Sequence, residues 1–308
     1  MNKSPNSPLP AAQLRMQLAQ KLRDEAKRRQ VSVDYVRKQY VFALFYRRIF
    51  GTAGDEWILL GGNALLARTG GGRFTQDIDL ARAERWSEIG ELKDELQALV
   101  AQPTDDPFRF QIGTPQEHDR TDPYGYGGRT VEVKVVVTLG GIKFETFKID
   151  ITQRRHVNEP IERIQVPPII DHPTLKGLPR VPIVPIENQL ADKICALYET
   201  HANGPSTRYR DLADIVRIVQ DLPIQAARLA TMLEHESRRR GMALPTQMVS
   251  PGDEWAKAYP IQAQEFAEFP IQFHPLDASL QAAAPCLDEV LAGNRREGEW
   301  DPSAQAWR

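Results

Sequence analysis

The sequence predicts an α+β fold with two lobes, in which a mixed, largely antiparallel sheet with helices is followed by a helical C-terminal lobe. Three observations carry this prediction. Segments that alternate apolar and polar residues, as half-buried strands do, occupy much of residues 57–152. A proline-rich stretch at 158–185 cannot form one helix and therefore separates two regions. After Pro185 apolar residues recur at helical spacing.

Composition sets the limits on function. The 308 residues contain 39 Lys and Arg against 41 Asp and Glu, and this balance excludes a generally basic nucleic-acid coat protein but not a local cationic patch. Neither a membrane-length apolar run nor a signal-peptide core is present, so we expect a cytoplasmic protein with no membrane partner. Its two cysteines, Cys195 and Cys286, fit neither a disulfide framework nor a zinc site.

The first segment, residues 1–50, is predicted to be helical and basic. Leucines at 14, 18 and 22 indicate an amphipathic helix that ends near Arg29, and Ser32 is positioned to cap a second helix. Ten Lys or Arg but only three Asp or Glu lie between Arg15 and Arg48. This excess is typical of a solvated helical face and is also compatible with contact to a polyanion.

The second segment, residues 51–157, is predicted to hold the sheet. Gly61-Gly62 follows a short apolar run and precedes a helix, and Gly70 to Gly72 end that helix. Gly140-Gly141 suits a tight hairpin between the last two strands. The pattern predicts strands at 57–60, 74–80, 108–112, 130–139 and 142–152, and helices at 63–68 and 83–100.

The remaining segments are a crossover and a helical region. Residues 158–185 are predicted to cross between the lobes with short extended pieces at most, because prolines recur along them. Residues 186–308 are predicted to form a helical domain, with helices at 186–199, 208–221 and 224–240 and weaker helical segments beyond.

Three carboxylates indicate a metal site. Asp77 and Asp79 stand two apart on a predicted strand, so both face the same side, where they repel each other unless a cation intervenes. Asp150 lies within a later strand and converges with them if the two strands are adjacent. Oxygen ligands of this kind suit Mg²⁺, and three carboxylates can hold two ions for phosphoryl or nucleotidyl displacement. Taken alone, an Asp-x-Asp pair is more often a surface feature.

The glycine pair indicates a phosphate site next to these carboxylates. A strand that ends in Gly61-Gly62 and runs into a helix exposes unpaired backbone N–H groups at the positive end of the helix dipole. Glycine also lets a phosphate approach the backbone closely. A triphosphate would then lie between this turn and the metal, although a Gly-Gly pair before a helix is by itself usually only a turn.

The order of these features carries a resemblance. The string Gly61-Gly62-Asn63-Ala64-Leu65, followed by Arg73-Phe74-Thr75-Gln76-Asp77-Ile78-Asp79-Leu80, resembles motif one of the DNA polymerase beta-type nucleotidyltransferase superfamily. More narrowly, it resembles the AbiEii/AbiGii family of MenT-type toxins, which are the toxin halves of bacterial toxin–antitoxin or phage-defence systems. Under this resemblance, residues 51–157 are the nucleotidyltransferase core.

Two later motifs extend the resemblance to about Ile218. Glu187-Asn-Gln-Leu-Ala191-Asp192-Lys193 is similar to the family's Glu-x-x-x-Ala-Asp-Lys motif, and the stretch from Arg208 to Ile215 is similar to its Arg-x-x-Asp-Leu-x-Asp motif. The spacing of Arg208, Asp211 and Asp214 forms one helical stripe, which is either an intrahelical set of ion pairs or a group that places Asp211 at the active site. Lys193 faces either the cleft or the solvent.

The resemblance implies an Mg²⁺-dependent reaction in which a hydroxyl attacks an NTP and pyrophosphate leaves. Its implied catalytic residues are Asp77, Asp79, Asp150, Lys193 and Asp211; Asp77, Asp79 and Asp150 would bind metal, and Gly61, Gly62, Asn63, Arg73, Thr75 and Lys193 would bind the nucleotide. The implied acceptor is the 3′ end of tRNA, and the implied protein partner is a cognate antitoxin. Two alternatives stay open: transfer to a protein or to a small molecule such as an aminoglycoside, and a non-catalytic nucleotide- or RNA-binding module.

Overall fold

Two N-terminal helices pack into the same core as the sheet. The computed structural model describes residues 10–52, 56–73, 75–83, 86–119, 129–153, 161–201 and 204–308. Helices α1 (Ala11–Arg29) and α2 (Val33–Phe50) follow the predicted pattern, and the Ser32 hydroxyl caps α2 by accepting from the backbone N–H of Tyr35 at 3.1 Å. Phe42 and Phe45 of α2 lie edge-on against Phe147 of the sheet, with ring centroids 5.1 and 5.4 Å apart.

Among the described residues, eight strands form a mixed sheet with the order β3-β5-β6-β2-β1-β8-β7, and β4 pairs with β5. The β1–β8 and β2–β6 pairs are parallel and the others are antiparallel. The strands are β1 (Trp57–Leu59), β2 (Ile78–Arg82), β3 (Phe108–Ile112), β4 (Gln116–Asp119), β5 (Arg129–Leu139), β6 (Ile142–Gln153), β7 (Glu162–Gln165) and β8 (Arg180–Ile183). This arrangement confirms the predicted α+β class.

Two predicted boundaries are wrong for local reasons. The strand predicted from residue 74 begins only at Ile78, and just before it the Asn63 side-chain amide donates to the Asp77 carbonyl at 2.6 Å. Phe74 itself lies outside the described residues. The helix predicted from Ala83 is α4 (Ile89–Ala101), which starts where Glu88 and Glu91 form a reciprocal capping box. Strand β4 was not predicted.

The hairpin between β5 and β6 contains a bulge that sets the register of the site. Gly140 and Gly141 turn the chain with φ of 60° and 78°, as a tight hairpin requires. The pairing shifts by one residue between Val137 and Thr138, and the shift aligns the apolar faces of the two strands. Without this shift the polar residues of one strand would oppose the apolar residues of the other.

The C-terminal lobe is helical, as predicted. Within the described residues its helices are α5 (Ile186–Tyr198), α6 (Tyr209–Asp221), α7 (Ala226–Arg239), α8 (Trp255–Gln264) and α9 (Leu276–Leu291), and the short strands are β9 (Thr200–His201), β10 (Gly204–Pro205), β11 (Ile224–Gln225), β12 (Glu299–Asp301) and β13 (Ala306–Trp307). Trp300 ties the end of the chain to α6 by donating to the Val219 carbonyl at 2.8 Å. None of these helices, nor any other in the described ranges, combines the length and apolarity needed to cross a membrane.

Helix α3 (Gly61–Thr69) lies between two hydrophobic cores. Ala64 and Ala67 pack into the first core, which the sheet, α1, α2 and α4 share. Leu65 packs into the second core, which the C-terminal helices build. The glycine turn at the start of α3 therefore stands where the two cores meet. The prediction that residues 1–50 and 158–185 are separate segments stays a prediction, although α1 and α2 bury their apolar faces in the first core.

Candidate active site

Carboxylates line up across three neighbouring strands. Asp79 of β2 is the register partner of Asp150 in the parallel β2–β6 pair, and Asp150 faces Glu132 in the antiparallel β5–β6 pair. Asp77, one residue before β2, lines the same cavity of about 360 Å³ as Asp79 and Asp150. Glu132 is not among the predicted site residues. Its position opposite Asp150 follows from the polar alternation of β5 only once the hairpin bulge is known.

The electrostatics of this row favour a bound cation. The pKa of Asp79 is raised to about 6, chiefly by burial and next by the neighbouring Asp150 carboxylate, although Lys193 and Arg73 act to lower it. Burial also raises the pKa of Asp77. Within the described part of the chain, no three His, Cys, Asp or Glu side chains are arranged to enclose an ion. The donor chemistry nevertheless fits Mg²⁺, because Asp77, Asp79 and Asp150 offer oxygen alone and leave room for water and substrate ligands.

The glycine turn packs directly on this carboxylate row. Gly61 has a φ of 61°, and a methyl group there would overlap the Asp79 Oδ2 oxygen and lie 2.8 Å from Asp79 Cγ. The backbone N–H of Leu60 donates to the Asp79 carbonyl at 2.9 Å and fixes the two segments together. Only glycine combines this positive φ with so close an approach.

The second glycine faces two side chains that were predicted to contact phosphate. A methyl group at Gly62 would lie 2.7 Å from Thr75 Oγ1 and 3.2 Å from Arg73 Nη2. Thr75 Oγ1 is buried and has no hydrogen-bond partner among the described residues. A hydroxyl in this state is available to a ligand, since a buried polar group without a partner is otherwise costly. Gly62, Arg73 and Thr75 all line the carboxylate cavity.

A row of alternating charges joins Arg73, in the loop after α3, to the C-terminal lobe. The Lys193 ammonium donates to Asp214 Oδ2 at 2.6 Å and to Asp211 Oδ1 at 3.1 Å. Arg73 donates to both oxygens of Asp214, with Nε–Oδ1 and Nη2–Oδ2 distances of 2.9 Å. Arg208 Nε lies 3.1 Å from Asp211 Oδ2, so the stripe on α6 contains an intrahelical ion pair and also reaches Lys193.

These contacts keep the cations charged and fixed in place. Burial acts to lower the pKa of Lys193, but the carboxylates of Asp214 and Asp211 more than offset it and the pKa is raised. Burial acts to raise the pKa of Asp214, but Lys193 and Arg73 outweigh it and the pKa is lowered. Asp214 is thus the shared anion that holds Arg73 and Lys193 together.

Other residues of the cavity come from the C-terminal lobe. Arg210 of α6, Gln262 of α8, and Glu265 and Phe266 just after α8 complete its wall. These residues are not among the predicted site residues, because their spacing is that of an ordinary amphipathic helix surface. The predicted nucleotide contact Asn63 instead supports the Asp77 carbonyl, as described above.

A larger cavity, of about 630 Å³, lies along α3, where Asn63, Leu66 and Ala67 line it. Its wall includes Asn63 and Glu268 but none of the three aspartates Asp77, Asp79 and Asp150. We therefore assign the chemistry to the smaller cavity, in which the carboxylates, the glycine turn and the cations meet.

A protein-family model and solved structures match this chain. Residues 43–292 match the family of the nucleotidyl transferase AbiEii toxin of type IV toxin–antitoxin systems. MenT4, a nucleotidyltransferase toxin from Mycobacterium tuberculosis H37Rv, has a similar structure, with a TM-score of 0.54 and 17% identity over 92% of this chain and 89% of that chain. JHP933 from Helicobacter pylori matches with a TM-score of 0.45 and 16% identity over 83% and 90%. No curated protein matches the sequence.

Proposed function

The chain belongs to the AbiEii family of nucleotidyltransferase toxins, and from that premise we propose that it transfers nucleotides from an NTP to the 3′ end of tRNA and releases pyrophosphate. One observation carries this proposal. The aspartates Asp77, Asp79 and Asp150 line one cavity together with the glycine turn, Arg73 and Thr75. A carboxylate row beside a phosphate-binding turn is the arrangement that in-line nucleotidyl displacement requires.

Asp77, Asp79 and Asp150 are the residues that would hold Mg²⁺, with one or two ions at the row. When bound, Mg²⁺ polarises a phosphoryl oxygen and favours deprotonation of an attacking hydroxyl. The chain's own contribution is to hold these carboxylates rigidly: Asp79 through the backbone bond to Leu60, and Asp77 through Asn63. Rigid placement of this kind lowers the barrier without covalent catalysis.

The phosphates of the NTP would lie on the first turn of α3. There the Thr75 hydroxyl and the Arg73 guanidinium, both from the loop after α3, lie beside Gly62, and the first turn of α3 would add its backbone N–H groups. Lys193 would act on the triphosphate through its fixed charge, since Asp214 and Asp211 hold its ammonium in place. Because these donors are already oriented, they would stabilise the charge of the leaving pyrophosphate without reorganisation.

The tRNA acceptor and the antitoxin are proposed from the family. The composition of the basic 15–48 segment points to a polyanionic acceptor. The structure weakens this support, because several arginines of the segment form ion pairs within the protein. Arg28 pairs with Glu25, Arg37 with Glu145, and the buried Arg48 with Asp106. A cognate antitoxin that relieves toxicity, in a system that limits phage infection, completes the proposed role.

Labelling with nucleotides tests the proposal. The protein is incubated with each α-³²P-labelled NTP and total tRNA, with Mg²⁺ or with EDTA, beside an Asp79→Asn variant. We expect RNA labelling that needs Mg²⁺ and Asp79. Label on protein alone, or on an added aminoglycoside alone, would refute the tRNA acceptor, and no label on any acceptor would favour a non-catalytic binding module.

A further inference from the structure

We propose that Glu268, together with Arg29 and Tyr35, positions the loop that carries Arg73 and Thr75 and so controls affinity for the NTP. We call these three side chains, together with Gly72, the Glu268 clamp. The inference rests on the proposed function for its kinetic consequence, whereas the effect of the clamp on the loop can be measured without any reaction.

The clamp holds both faces of Gly72. The backbone N–H of Gly72 donates to Glu268 Oε2 at 2.8 Å, and the Tyr35 hydroxyl donates to the Gly72 carbonyl at 2.9 Å. Arg29 donates through Nε and Nη2 to the two oxygens of Glu268, at 2.7 Å each. This bidentate pair orients the carboxylate that receives the Gly72 N–H.

The loop is built to meet this clamp closely. Gly72 has a φ of 149°, which glycine alone adopts readily, and a methyl group there would lie 3.2 Å from Leu66 Cδ2. A methyl group at Gly71 would lie 2.8 Å from Glu268 Oε2 and 3.0 Å from Arg29 Nη2. The two glycines therefore let the backbone rest directly on the clamp.

Glu268 itself is held in an unusual state. Its φ of 57° is uncommon for a residue with a side chain, and such conformations persist only where the surroundings enforce them. Burial acts to raise the pKa of Glu268, but hydrogen bonds from Arg29 and from the Gly72 N–H outweigh it and the pKa is lowered. Glu268 thus stays ionised and paired.

The clamp also joins the two cores beside the cavity. Tyr35 belongs to the first core, whereas Glu268 follows Phe266, which packs in the second core and lines the carboxylate cavity. Arg73, directly after Gly72, is in turn bonded to Asp214 of the C-terminal lobe. Release of Gly72 would therefore loosen Arg73 and Thr75 against the first turn of α3, and phosphate binding would have to reorder them.

The test compares Glu268→Gln and Tyr35→Phe with a matched control, Glu145→Gln. Like Glu268, Glu145 accepts a hydrogen bond from an arginine of the N-terminal helices. Its partner is Arg37 of α2, with Nε at 2.6 Å, and this pair does not hold the loop at Gly72. We expect Glu268→Gln to raise KM for the NTP about tenfold, the factor for one lost charge-assisted hydrogen bond, with kcat within about twofold of the original. Tyr35→Phe changes KM in the same direction by less, and Glu145→Gln leaves it unchanged.

Hydrogen exchange over residues 66–76 provides the second readout. The Gly72 amide should lose protection in Glu268→Gln but not in Glu145→Gln, whether or not the protein transfers nucleotides. An unmodified protein that labels no acceptor would refute the proposed function and leave this measurement valid. Unchanged exchange and unchanged KM in Glu268→Gln, or an equal KM increase in Glu145→Gln, would overturn the clamp. If Glu268→Gln does not fold, Tyr35→Phe decides by the same two measurements.

Discussion

Replacing Gly61 by alanine should separate backbone strain from damage to the active site. Gly61 has a φ of 61°, where a residue with a Cβ loses about 1–2 kcal/mol. The added methyl group would also overlap Asp79 Oδ2, so the carboxylate must move by about 1 Å or more. A displacement of that size in a reacting group reduces rate by about 10²-fold.

Gly70→Ala is the matched control for this experiment. Gly70 ends α3 with a φ of 71°, but its nearest neighbour to an added methyl group is Pro167 Cγ at 3.7 Å. Both variants should therefore lose a similar free energy of unfolding in urea titration, whereas only Gly61→Ala should lose transfer of label from NTP to tRNA. If Gly61→Ala retains the activity of Gly70→Ala, Gly61 does not govern the placement of Asp79 and the reasoning is refuted.

Three further predictions concern Lys193, Thr75 and Asp214. Lys193→Met leaves Asp211 and Asp214 buried without their shared cation and should lower the free energy of unfolding by about 3–5 kcal/mol in urea titration; a loss below about 1 kcal/mol would contradict it. Thr75→Val removes a buried hydroxyl that has no partner among the described residues, so stability should hold while KM for the NTP rises severalfold, and an unchanged KM would argue against phosphate contact. The pKa of Asp214 is lowered in the folded protein despite its burial, so its ionisation stabilises the fold above the unfolded pKa near 4, and this contribution disappears as the pH falls through the lower folded value. The difference in unfolding free energy between the unmodified protein and Asp214→Asn should therefore shrink between pH 7 and pH 3.

Strands with a clear alternation of apolar and polar residues were predicted correctly. Strand β3 matches the predicted residues 108–112, and the hairpin of β5 and β6 follows its alternation and its glycine pair. The pattern around Phe74 placed the start of β2 before the observed Ile78, and it contains no sign of the contact from Asn63 to the Asp77 carbonyl. Strand β4 has the sequence Gln-Glu-His-Asp and shows no apolar alternation, so only its pairing with β5 reveals it.

Some residues of the site can be predicted from neighbouring sequence, whereas others meet only through contacts between distant parts of the chain. The spacing of Asp77 and Asp79 is visible in the sequence, but the alignment of Asp79 with Asp150 depends on the parallel β2–β6 pair, which joins distant parts of the chain. The place of Glu132 opposite Asp150 depends on a bulge. Gln262 and Phe266 reach the cavity because the second lobe packs beside α3, and they lie outside the motifs of the sequence.

The position of α3 between the two cores has a consequence for protein synthesis. The ribosome makes Asp79 before Phe266 by roughly 10–40 s, so for that time a nascent chain carries Asp77 and Asp79 without the complete cavity wall, which still lacks Phe266. Until the second core folds, Leu65 also has nothing to pack against, and the turn at Gly61 lacks its support from that side. A chain that ends before α8 lacks Gln262, Glu265 and Phe266 of the cavity wall, so we expect such a fragment to bind the NTP more weakly than the full chain.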